Sequence, residues 1–269
     1  MVQFIYKYAL NKISRPWLIR IGYLIGPVLT ILYRGNNFED PIDNRTYKSF
    51  LPYGHDEHQR INALAPHSLS LERHRLLWLY LKQETDFFNE LKPQKLLHIA
   101  PEQCFYHRFK KMKHIDYITG DINSPLADIK MDLHEIPFQQ DSFDIVLCNH
   151  VLEHVDDDRK CMREIFRVLK PGGWAIMQVP LNIHKEKTDE DPSVIDPEER
   201  KKRFGQYDHV RSYGCDYIER LQKEGFKVKI IDYLHKLGKE KVKRYGLETD
   251  ESLYVCNKML SRAPMEGTL

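Results

Sequence analysis

Phe143-Asp144-Ile145-Val146-Leu147-Cys148 runs straight into Asn149-His150, and a second apolar run, Trp174-Ala175-Ile176-Met177-Gln178-Val179, follows after one helix length. The first run is almost unbroken in apolar residues, as expected of a parallel strand covered by helices on both faces. Between the two, Asp156, Asp157 and Asp158 offer caps and dipole-matched charge to a helix on which Met162, Ile165, Phe166 and Leu169 share one face. Lys170-Pro171-Gly172-Gly173 ends it with a cation and breakers. Strand, helix and strand in this order make a right-handed crossover of an α/β sheet, which Asn149-His150 leaves at its carboxyl edge.

Upstream, residues 114–121 read as a strand ending on Asp121, and Lys95-Leu96-Leu97-His98-Ile99-Ala100 as an earlier one with a helix over 105–112 behind it. Downstream, residues 216–225 predict a helix with Tyr217, Ile218 and Leu221 inward and Gly225 as its stop. Residues 226–231 alternate like a half-exposed edge strand, and 252–258 supply a last one. The basic run through Lys236, Lys239, Lys241, Lys243 and Arg244 reads as a solvated face.

Asp132-Leu133 with Ile136-Pro137-Phe138, Ser142-Phe143-Asp144, His150-Val151-Leu152-Glu153-His154 and Leu169-Lys170-Pro171-Gly172-Gly173 together resemble the second half of a class I S-adenosylmethionine (SAM) dependent methyltransferase. As a set they are specific, although any one of them occurs in many α/β enzymes. The resemblance implies a Rossmann-like seven-stranded sheet with helices on both faces, its last strand antiparallel. It also implies SAM as cofactor, with Asp121 on the ribose hydroxyls and Ile122 beside it, and Asp132 near the adenine amino group. Leu133 would offer an amide and an apolar surface, and Asn149 would lie where the chain passes closest to the cofactor. Taken singly, Asp121 and Asp132 read equally well as helix caps or turn formers.

The first loop departs from the pattern. Where most relatives place G-x-G-x-G, so that bare backbone reaches the methionine end of the cofactor, this chain has Ala100, Glu102 and Cys104, and Pro101 removes a donor. Two readings follow. The segment His98-Ile99-Ala100-Pro101-Glu102 resembles a subgroup whose loop carboxylate faces the cofactor's ammonium group, which makes Glu102, with His98 and Ala100, a cofactor contact. Otherwise the loop has decayed and cofactor binding is weak or absent.

Asp40-Pro41-Ile42-Asp43 and Ala65-Pro66-His67-Ser68 resemble two Cys-Pro-x-Cys knuckles with every cysteine replaced, between a Tyr33-Arg34-Gly35 element and the helix beginning near Leu69. A structural zinc site needs four thiolate or imidazole ligands. The expectation is therefore a ribbon without metal, packed on Phe50, Leu51, Pro52 and Tyr53, with His55, His58 and His67 as ordinary loop histidines. The expected layout is an apolar and basic leader over 1–35, this ribbon over 36–69, and a methyltransferase domain over 70–260 with an acceptor-side insertion at 181–213. A tail over 261–269 completes it.

The chain has 269 residues, and its 41 Lys+Arg against 39 Asp+Glu leave a net charge of +2. No overall field draws nucleic acid, so DNA is not expected as a partner and RNA is disfavoured. Five scattered cysteines, Cys104, Cys148, Cys161, Cys215 and Cys256, suit a reduced, cytoplasmic chain. From Pro16 to Tyr33 the leader is mostly apolar, but Arg20 interrupts it and Gly22, Gly26 and Pro27 weaken a helix. The uninterrupted part is too short to cross a bilayer. Flanked by Lys7, Lys12, Arg15, Arg20 and Arg34, it reads either as a surface-lying anchor giving peripheral membrane contact or as helices packed on the domain.

Within the insertion, Gln206, Tyr207, Arg211 and Tyr213 combine hydrogen-bonding groups, a cation and aromatic surface suited to a polar acceptor. His150 and His209 are candidate bases. The alternative reading makes Asp208, His209 and Arg211 pins for the insertion, and His154 reads as structural. The function expected is methyl transfer from SAM to an oxygen or nitrogen of a polar small molecule or a glycan- or lipid-linked precursor. An RNA methyltransferase and a non-catalytic SAM-fold binding module are the rival readings.

Overall fold

The computed structural model describes residues 15–54, 59–247 and 252–260. Its centre is a seven-stranded sheet of β5 (Gln94–Ile99), β6 (Ile115–Asp121), β7 (Ile129–Lys130), β8 (Phe143–Cys148), β9 (Leu169–Ile176), β12 (Lys227–Ile231) and β13 (Leu253–Asn257). The strand order is β12-β13-β9-β8-β5-β6-β7, parallel except that β13 runs antiparallel between β9 and β12. This is the Rossmann-like methyltransferase sheet the sequence leads one to expect, with its late strand in the expected place.

Successive residues of β8 explain its unbroken apolar run. Val146 and Cys148 join one core with Met162 and Ile165 of α4 (Asp158–Val168) and Tyr217 of α6 (Tyr217–Lys223). Ile145 and Leu147 join the opposite core, with Trp78 of α2 (Glu72–Glu84) and Phe105 and Phe109 of α3 (Gln103–Phe109). With both faces buried, no polar position is needed to mark a wet side.

Asp157 caps α4 by accepting from the Lys160 amide at 2.9 Å. The helix stops at Val168, and Leu169 to Gly173 already belong to β9, so the expected breakers shape a strand entrance instead. A β-carbon on Gly173 would stand 2.9 Å from the carbonyl oxygens of Asp144 and Lys170, which is why the residue there is glycine.

The chain before the sheet forms helix α1 (Arg15–Leu32) and two hairpins, β1 (Arg34–Asp40) with β2 (Arg45–Tyr47) and β3 (Leu51–Tyr53) with β4 (Arg60–Leu64). Gly22, Gly26 and Pro27 do not break α1. The glycines face residues 67–69 and Gln103, where a β-carbon on Gly22 would lie 2.5 Å from Leu69. Of the four residues expected to pack the hairpin region, Phe50 is buried with Tyr47 and Ala65 and Leu51 packs on a second small cluster, whereas Pro52 and Tyr53 are exposed. Asp43 is pushed up to about 6 by burial and by the neighbouring Asp40 carboxylate. His55 and His58 lie outside the described residues; His67 packs against Gly26.

The remaining helices are α5 (Pro197–Phe204), α7 (Tyr233–Leu237) and α8 (Lys239–Arg244). The basic run is not wholly solvated, because Arg244 of α8 bonds Glu39 and Asn36 of β1. No helix among the described residues is long and apolar enough to cross a membrane.

Candidate active site

Parallel register brings the ends of β8, β5, β6 and β7 to one edge. Ile99 pairs with Gly120 on one side and Cys148 on the other, and Gly120 pairs with Ile129. The loops that follow therefore start side by side, which is where open α/β sheets bind ligands.

After β5 the chain turns through Ala100, whose φ of +50° is a backbone state that glycine adopts freely and alanine seldom does. That turn returns Glu102 over the strand it came from. His98, fully buried, bonds the Glu102 carboxylate through Nε2 and the Tyr117 hydroxyl through Nδ1. Across the sheet, Asn149 donates from Nδ2 to the other Glu102 oxygen at 3.1 Å. Burial works against ionising Glu102, but the His98 charge and hydrogen bond, with His74 and Asn149, outweigh it and hold the carboxyl at about 2. The glycine-free loop is thus organised around a fixed negative charge. Asn149 itself is buried, and its Oδ1 has no partner among the described residues.

Asp121 ends β6 and uses Oδ1 to accept from the Asn123 and Ser124 amides, both at 2.6 Å. Its second oxygen keeps no partner among the described residues, and Ile122 beside it is half exposed. Asp132, two residues past β7, accepts from the His134 amide at 2.9 Å and from its ring, contacts that hold its carboxyl below the usual carboxylate range. Leu133 is buried behind it. Both aspartates therefore serve their turns with one oxygen each.

At His150, the residue after Asn149, lies a cavity of about 240 Å³ lined also by Arg73, Gln178, Leu181, Ile183 and Tyr254, among others. His150, at φ +53°, turns its ring back so that Nδ1 lies 3.4 Å from Glu153 and Nε2 is buried with no partner among the described residues. Arg73 has no hydrogen-bonding or ionic partner among the described residues, unlike Arg60 beside it, which pairs with Glu72.

The other expected acceptor-side residues separate. Gln206 and Tyr207 are exposed on the outside of the insertion. Arg211, only 3% exposed, spends its guanidinium on the carbonyls of Leu152, Val155 and Asp156, and buried Tyr213 bonds Leu152 and Asp158. These two brace the turn after β8 rather than line the cavity. His209 is buried beside His154 and Glu153, not beside the cavity, and burial lowers its tendency to carry a proton. Arg73 was not visible as a site residue in the sequence, because a cation near the start of an amphipathic helix carries no signal of its own.

Residues 103–177 match a family model described as a methyltransferase domain. The ubiquinone/menaquinone biosynthesis C-methyltransferase UbiE of Vibrio vulnificus (strain YJ016) is 44% identical over 45 residues, 17% of this chain and 17% of that protein. The tRNA U34 carboxymethyltransferase of Sulfurovum sp. (strain NBC37-1) is 29% identical over 86 residues, 32% of this chain and 27% of that protein. Each likeness covers less than a third of the relative's length. Among solved structures, that of the [4+2]-cyclase SpnF is similar over 90% of this chain and 97% of that one, with a TM-score of 0.50 at 14% identity, a likeness of fold alone.

Proposed function

We propose that this chain binds S-adenosylmethionine along the carboxyl edge of β8, β5, β6 and β7 and transfers its methyl group to an oxygen or nitrogen of an acceptor in the adjoining cavity. The observation that carries the reading is the pairing of a Glu102 carboxylate held ionised at about 2 with a buried, partnerless Asn149 Oδ1. Two acceptors, one of them charged, face a place where an ammonium group would supply the missing donor. The unused oxygen of Asp121 suits a ribose hydroxyl, Ile122 offers an apolar surface, and Asp132 with Leu133 suits an adenine edge. The methyltransferase-domain match over residues 103–177 spans Glu102's neighbours and all four of these residues.

SAM brings a methyl group already activated on sulfonium, so the residues of this chain have mainly to position donor and acceptor in line. Where the acceptor carries a proton, His150 is the candidate base among the residues that line the cavity. Arg73 favours an acceptor bearing a carboxylate or phosphate, within the class of polar small molecules or glycan- or lipid-linked precursors. A lipid-linked acceptor also fits α1. Trp17, Ile21, Leu24, Val28 and Ile31 recur at helical spacing and are all exposed, opposite the docked glycines, which supports peripheral membrane contact through residues 1–35.

Calorimetry of the full chain with SAM and with its demethylated product tests the reading. Asp121→Asn keeps the turn-forming oxygen and loses the charge, so it is expected to weaken both ligands roughly 10- to 100-fold. Equal affinity in the variant removes the ribose assignment. Absence of binding in the wild type removes methyl transfer.

A further inference from the structure

His154 follows Glu153 in the turn after β8, and His209 returns from the insertion to set its ring edge-on against it, with centroids 4.7 Å apart at 80°. One ligand atom from each of Glu153, His154 and His209 lies within 4.8 Å of the other two. We infer that these three side chains form a binding site for a divalent transition-metal ion of the zinc type. No such site was legible beforehand, because the third ligand is 55 residues away from the second in the chain.

The hydrogen bonds around the cluster prepare it for a cation. A carbonyl oxygen can only accept, so the 3.1 Å contact of His209 Nδ1 with the Phe204 carbonyl puts the ring proton on Nδ1 and leaves the Nε2 lone pair free. The 3.3 Å contact of His154 Nδ1 with the Asp208 carbonyl does the same for the second ring. Metal-binding histidines are oriented in this way, through the nitrogen that does not touch the ion. Glu153 is 1% exposed; one of its oxygens is held by His150, and Oε2 is buried with no partner among the described residues. A buried carboxylate oxygen left in this state is unfavourable, and a bound cation would relieve it.

Two imidazoles and one carboxylate select a borderline first-row ion over Mg²⁺ or Ca²⁺ and leave a coordination position open. Ligand atoms around tetrahedral zinc sit about 3.4 Å apart, so from separations of up to 4.8 Å the side chains need to close by at most about 1.4 Å. His154 is exposed and supplies both the movement and the way in. The backbone already ties the two halves together, since the Val210 amide donates to the Glu153 carbonyl at 2.9 Å. None of the three ligands lines the cavity, so the metal site stands independently of the methyl-transfer reading.

The test uses the full chain, stripped with a chelator and dialysed, then titrated with Zn²⁺ by calorimetry and with Co²⁺ by visible absorption. One-site binding is expected, with Zn²⁺ affinity falling at least about 100-fold in His154→Ala and in Glu153→Gln, and Mg²⁺ inert. Crystals grown with Zn²⁺ should show anomalous scattering between the three side chains. His154→Ala removes an exposed ring and leaves the core intact, so it decides the matter alone should Glu153→Gln not fold. Wild-type affinity in His154→Ala, an ion located elsewhere, or no binding at millimolar Zn²⁺ each overturns the inference.

Discussion

Glu102 supplies as a side-chain charge what a glycine-rich loop supplies as bare backbone. Its folded pKa of about 2 lies below the ordinary 4.5, so its ionised form is favoured by folding, chiefly through His98. The stability it contributes is fully present above pH 4.5 and is lost as the pH falls toward 2. Glu102→Gln is therefore expected to be less stable than the wild type at pH 7, with the gap closing between pH 4.5 and 2 in urea unfolding curves. A gap independent of pH would show that the carboxylate is not held by charge. The carboxylate was legible, because the departure from the glycine pattern pointed to Glu102; its bond to His98 was not. The positive φ of Ala100, which makes that pairing possible, was not, because nothing about an alanine in sequence announces a left-handed turn.

The insertion is fixed by ionic contacts between elements that are far apart in the chain. Arg211 of β11 (Arg211–Ser212) and Arg220 of α6 share Glu190 of β10 (Asp189–Glu190), and Arg220 also reaches Asp158 at the start of α4. Arg211→Met would take the guanidinium from the carbonyls of Leu152, Val155 and Asp156, leaving only the Tyr213 hydroxyl on Leu152, and unbalance the acids beside it. A loss of about 3 kcal/mol is expected in denaturant unfolding, an unchanged m-value marking it as lost stability rather than a changed denatured state. A loss below about 0.5 kcal/mol would show that the guanidinium is dispensable to the turn. The β-α-β unit around α4 was legible because its periodicity is local and both strands are buried on both faces. The role of Arg211 was not: a cation among aromatics in a polar insertion looks like a ligand contact, and only the fold shows that its partners are carbonyls more than fifty residues upstream.

For the molecule as a whole, α1 poses a problem of exposed surface. Leu24 and Ile31 are 77% and 76% exposed, and with Trp17, Ile21 and Val28 they make one apolar stripe along the helix. Contiguous apolar surface of this kind marks a contact site more often than chance exposure. The opposite face is closed to further packing because Gly22 and Gly26 already touch residues 67–69. A surface-lying helix fits such a stripe, with Arg20 within it and Arg34 at its end to meet anionic headgroups. The full chain is thus expected to float with vesicles containing phosphatidylserine, and Leu24→Glu with Ile31→Glu is expected to abolish flotation without altering SAM affinity. Each glutamate places a charge where the stripe would enter the acyl boundary while leaving the glycine face untouched. Flotation of the double variant at the wild-type level would exclude the stripe as the contact. A concentration-dependent dimer in solution, broken by the same two substitutions and accompanied by no flotation, would instead assign α1 to a second copy of this chain.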